Sequence, residues 1–458
     1  MSSPFSIHTG DWHPVEHEAA ELAQTTTMLK IVLGNQVVTR NESVWLEKIR
    51  DEAYLSAYPL ALWFATHWWR LRWEPLPEAA NAPPRGWRMA HEMVSAGHGY
   101  VWPRMVFSSD GEILQAWSRD TTVDQQSAVR YLTNSYSVID AEAFERTVDA
   151  FVLDVLKRLD ATGIHQTDLH QAWAALSEER GDEKLSSQCR LEALLGFDVG
   201  ECPAELRERL DRLIPEAGAA AAEEVAPICA LSNPLAVLEA LSSAAQHARL
   251  RGRFTLPKLL TEPVVNPQPS WQRGARLARR LRAEMGLAAV PVADATLCGL
   301  VGLTQQQVDA EEKSRLPLGL AIQSKGNDQA RFLLRKSPEN KPGRRFELAR
   351  MVGDSLIADA TDSWLPVTDA KTARQKIQRA FAAEFLCPID LLKERLDGDY
   401  SSDARDSAAR HFAVADQLIK TQLVNHRLLP SAVLDDGELM LGYPYTPSAR
   451  YPYGAAAA

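Results

Sequence analysis

At residues 344–354 the chain reads RRFELARMVGD. Its outline is that of a metal-binding helix of the HExxH pattern, in which two histidines four residues apart face one side and the glutamate beside the first activates water. Here Arg350, Met351 and Asp354 stand at those three positions. An arginine cannot ligate a cation, a methionine cannot move a proton, and a guanidinium one turn away repels a cation from Asp354. Arg350 and Asp354 are nevertheless at i and i+4, a spacing that forms ion pairs on a helix. If partly buried, such a pair fills the polar hole that a missing metal leaves, so the expectation is a structural replacement of the metal by Arg350 and Asp354.

The rest of the chain sets the bounds. Its 458 residues are too many for one ordinary core, and two to four domains are expected. Hydrophobic residues at 45% and charged residues at 24% are those of a globular protein, and no apolar run approaches a membrane span. The start, MSSPFSIHTGDWHPVEHEA, lacks the basic-then-apolar order of an export signal, so a cytoplasmic protein with no membrane partner is expected. Fifty basic against 60 acidic residues give a net charge of −10, and any binding to nucleic acid must come from a local patch. Five cysteines without a CxxC pair argue against a disulfide framework or a zinc ribbon. GxxxxGK[ST], GxGxxG and GxSxG sequences are absent, and no cofactor is expected.

The fold class expected is mixed: mainly α with α+β parts. Residues 1–135 read as a tryptophan-rich α/β domain, with a strand in MLKIVLGNQVV and a hairpin turning at Asp110 and Gly111 in RMVFSSDGEILQAW. Between them, SAYPLALWFATHWWRLRW holds four of the twelve tryptophans. Two readings stay open there: a helix whose indoles fill the core, or a recognition surface built from Trp68, Trp69, Arg70, Arg72 and Trp73. His91, Glu92 and His98 in HEMVSAGHGY are read as turn and packing residues against a metal or acid–base role. Residues 136–265 form a helical middle region, in which Phe144, Val148, Phe151, Val152, Val155, Leu156 and Leu159 recur on one helical face. Proline-rich PKLLTEPVVNPQPSW marks a boundary near 268, and residues 431–458 read as an extended tail. Arg276, Arg279 and Arg280 share one helical face, either a solvated surface or a phosphate contact.

Several ordered segments together resemble the ImmA/IrrE family of metallo-endopeptidases over residues 268–430: PSWQRGARLARRLRAEMGL, RRFELARMVGD, AFAAEFLCPIDLL and DSAARHFAVADQLIKTQLVNHRLL. The resemblance implies a zincin-like C-terminal domain with a degenerate site. Arg350 and Asp354 fall where the two histidine ligands belong, Met351 where the catalytic glutamate belongs, and Ile377 where the third ligand belongs, so no metal is expected. It further implies a non-catalytic pseudo-peptidase, a scaffold or regulatory adaptor that holds a protein partner in a bacterial complex, with defence against phage or other mobile elements as one setting. The alternatives are a metal-dependent endopeptidase that cleaves a regulator, and a nucleic-acid-binding subunit that works through the arginine helix or a partner.

Overall fold

The computed structural model describes residues 4–16, 19–77, 83–121, 127–230, 233–257, 269–324, 329–430 and 433–434. The chain is mixed α and β, about 51% helix and 17% strand, with several small sheets. Every pair of neighbouring strands among the described residues is antiparallel. The N-terminal part is therefore α+β and not an alternating α/β unit, because its helices are interspersed among strands that pair antiparallel.

The described residues fall into two compact units, one from residues 4–76 and 83–202, the other from 203–434. The helices expected as one middle region divide between them: the helix Ala141–Ala161 belongs to the first unit, and the helices from Ala204 onward to the second. Periodicity reports that a helix has an apolar face, but not which core receives it. The boundary expected near 268 lies outside the described residues, as does the tail except for Val433 and Leu434.

In the first unit, Thr26–Leu33 is the central strand of a sheet with Phe5–Trp12, Gln36–Val37 and Ala53–Ser56. Arg104–Ser109 and Ile113–Arg119 form the expected hairpin. Asp110 closes it by accepting the backbone N–H groups of Glu112 and Ile113 at 2.9 Å, and Gly111 supplies the positive φ of 96°. Phe5, Phe64, Phe107 and Phe144 meet in the core, which is where the apolar stripe of Ala141–Ala161 lies.

The second unit is built on a four-stranded sheet in the order Leu250–Arg253, Gln329–Leu333, Gly319–Gln323, Trp364–Val367. Asn340 caps the helix Lys341–Ser355 through Gly343 N at 3.0 Å, with Pro342 in the first turn. Thr372 caps the helix Ala373–Leu386 in the same manner. Two glycines let these helices approach. A Cβ on Gly353 would sit 2.6 Å from the Phe381 ring, and one on Gly274, in the helix Ser270–Glu284, would sit 2.3 Å from the Ile377 carbonyl oxygen. All five cysteines are buried free thiols.

Candidate functional site

The helix Lys341–Ser355 buries an unusual row of charge: Arg344, Arg345, Glu347, Arg350 and Asp354. A charge taken out of water is tolerated only when it is hydrogen-bonded or paired, so the partners define what this helix does. Glu347 accepts the backbone N–H groups of Arg335 and Lys336 at 2.9 and 3.1 Å, which ties the end of strand Gln329–Leu333 to the helix.

Arg350 and Asp354 do not pair with each other, contrary to the sequence expectation. The facing helix Ala373–Leu386 supplies side-chain partners to each. Asp354 is fully buried and receives both prongs of Arg374, Nε at 2.7 Å and Nη2 at 2.9 Å, while Arg374 Nη1 donates to Asp362 at 2.6 Å. A bidentate fork satisfies both carboxylate oxygens, which a side chain one turn away on the same helix does less well. Asp362 in turn accepts Ala221 N at 3.2 Å, at the start of the helix Ala219–Cys229.

Arg350, 3% exposed, donates from Nη2 to the Thr368 carbonyl at 2.6 Å, to Gln375 Oε1 at 2.5 Å and to Gln378 Oε1 at 3.3 Å. Its Nε has no acceptor among the described residues. The orientation of the Gln375 amide follows from donor and acceptor logic: its oxygen receives Arg350 and Thr368 N, and its nitrogen donates to Glu224 at 2.9 Å and to the Pro366 carbonyl at 3.0 Å. Glu224, on Ala219–Cys229, also accepts the Thr372 hydroxyl at 2.6 Å. That helix packs against the outermost strand, Trp364–Val367.

Burial sets the protonation of this network. It pushes the Glu224 carboxyl up to about 7 despite the opposing Arg374 charge, and raises Asp354 as well. It brings Arg350 down to about 9, helped by the charge of Arg379. For Asp369, burial pulls upward, but the hydrogen bonds and charge of Arg335, with Arg350 and Arg379 beyond, hold it down at about 2. The residues present do not fit the zinc that the resemblance implies. A guanidinium stands at one ligand position, and both oxygens of Asp354 are occupied by another. Met351 is fully buried in the apolar core and Ile377 lies in the seam against Gly274, so neither contributes a ligand. Among the described residues, no group of three or more His, Cys, Asp or Glu side chains could hold a metal.

The other expected sites resolve differently. Trp68, Trp69, Arg70 and Arg72 are buried, so they are not a recognition surface. Trp69 donates to Glu179 at 2.7 Å, Arg70 pairs with Glu74 at 2.7 Å, and Arg72 pairs with Glu145 at 2.6 Å. Trp73 is half-buried between the Arg72 and Arg190 guanidinium groups, 4.2 and 4.0 Å from its ring. The exposed indole of the first unit is Trp45, 83% exposed in the turn between strands Asn41–Ser43 and Lys48–Arg50, and no helical pattern signalled it. His91 is fully buried, with its ring nitrogens 3.0 Å from the Phe107 carbonyl and 3.0 Å from Glu74, and Trp87 stacked on its face. Arg279 is paired with Glu384 at 2.7 Å, while Arg276 and Arg280 are half-buried. The true polar cluster includes Glu224, Asp362, Arg374, Gln375 and Gln378, which sequence reasoning missed because long-range contacts bring them to the helix.

No helix among the described residues is long and apolar enough to cross a membrane. Compared with protein-family models, curated proteins and solved structures, the chain gives no match.

Proposed function

We propose that this chain is a pseudo-peptidase: a non-catalytic scaffold or regulatory adaptor that holds a protein partner within a bacterial multi-protein complex, with the ImmA/IrrE-like region 268–430 as its degenerate zincin domain. The observation that carries the reading is the buried Arg350 guanidinium, clamped by Thr368, Gln375 and Gln378 one turn from an Asp354 already claimed by Arg374. A cation fixed at that place opposes the binding of a second cation and offers no group that could deprotonate water.

Elemental analysis of protein purified without added metal tests the proposal, together with incubation of captured partners with and without a chelator. The expected result is substoichiometric zinc and uncut partner. Stoichiometric zinc, or cleavage that the chelator abolishes, refutes the proposal in favour of a metal-dependent endopeptidase.

A further inference from the structure

Within the second unit an open cleft of about 760 Å³ lies between the segment Lys313–Pro317, Ile228, Arg335 and Asp369. That is the size of a pocket for a small ligand or a few residues of peptide. Its walls are of two kinds. Ile228, Leu316 and Pro317 are apolar, whereas Lys313 and Arg315 are exposed cations with no ion pair among the described residues. Arg335 grips Asp369 with both prongs, so that one negative charge of the cleft is already answered. The charges of Arg350 and Arg379 also act on Asp369. On a chain whose net charge is −10, this is a local excess of positive charge beside an apolar wall.

We propose that this cleft binds a short acidic peptide segment of the partner protein, its carboxylates on Lys313 and Arg315 and one aliphatic side chain against Ile228, Leu316 and Pro317. The inference rests on the adaptor reading and names the chemistry of its partner. The apolar wall favours a peptide over a nucleic-acid backbone, which would present phosphate and sugar to Ile228 and Leu316. The two exposed cations steer the encounter, and burial of the aliphatic group adds affinity that depends on that side chain.

The test uses the full chain and an array of short peptides of acidic, neutral and basic composition, each with and without a leucine, and a single-stranded oligonucleotide as competitor. Acidic peptides that contain leucine are expected to be retained best. Their affinity should fall on the order of tenfold in the double variant Lys313→Glu with Arg315→Glu, and at an ionic strength of about 1 M, where the Debye length is about 3 Å. Both positions are exposed, so the variant keeps its fold, and far-UV circular dichroism checks this. Equal retention of acidic and basic peptides, indifference to the charge reversal, or stronger binding of the oligonucleotide at the same site would each overturn the proposal. Zinc content and cleavage are read separately, so a chain that lacks both yet ignores acidic peptides refutes this cleft and leaves the adaptor reading standing.

Discussion

Glu224→Gln is the most revealing single substitution in the second unit. The carboxyl is buried against Thr372 and Gln375, and burial raises it from the ordinary 4.5 to about 7. Below pH 4.5 the group is protonated in both folded and unfolded chains, and its titration has no effect on stability. Between 4.5 and about 7 the unfolded chain ionises first, so stability drains away as pH rises; above about 7 the loss is complete and constant. At about 1.4 kcal/mol per unit of pH, the interval bounds the loss at about 3 kcal/mol, and coupling to Arg374 makes the realised figure smaller. Glutamine keeps an oxygen to accept from Thr372 and Gln375 but cannot ionise. The variant should therefore match the wild type near pH 4.5 and exceed it near pH 8. For a unit of this size each kcal/mol moves the melting midpoint by about 2–4 °C, so thermal unfolding followed by circular dichroism at both pH values resolves the effect. A variant less stable than wild type near pH 8, or a difference independent of pH, would refute the account of a buried carboxyl held near neutrality by desolvation.

Other substitutions probe the same packing. Arg374→Met leaves Asp354 and Asp362 buried without their shared cation and should cost about 3–5 kcal/mol, measured by urea unfolding. Gly353→Ala drives a methyl into the Phe381 ring and should cost about 1–3 kcal/mol in the same assay; an unchanged midpoint would show that the two helices can part. His91 has the opposite pH sense to Glu224. Burial lowers its pKa below 6.5, so its contribution is present above that value and is lost on acidification, and the protection factors of amides around Trp87 and Phe107, corrected for the intrinsic exchange rate at each pH, should fall as the pH drops below 6.5 in the wild type and change less in His91→Gln.

Much of the local architecture was legible in the residues. The turn at Asp110 and Gly111, the apolar stripe from Phe144 to Leu159 and the helix over RRFELARMVGD follow from turn chemistry and from periods of two and 3.6, which are properties of neighbours in sequence. The tryptophan cluster was open between core and surface because an indole beside an arginine suits both. Packing settled it, through Glu145, Glu179 and Arg190, partners more than a hundred residues away in the cases of Glu179 and Arg190. Within the candidate site, the odd chemistry at Arg350, Met351 and Asp354 was visible, but the pairing drawn from it was wrong.

From its own order of residues, then, the chain determined where helices and turns form, and that Arg350, Met351 and Asp354 stand together on one helix. Tertiary structure alone decided that Asp354 belongs to Arg374, that Arg350 belongs to two glutamines, and that Glu224 reaches across some 150 residues to hold one of them. The physical reason is that helical spacing specifies only which residues can be neighbours along one turn. Once both groups are shut away from water, the partner that satisfies the most hydrogen bonds wins, and that partner is supplied by a different part of the chain.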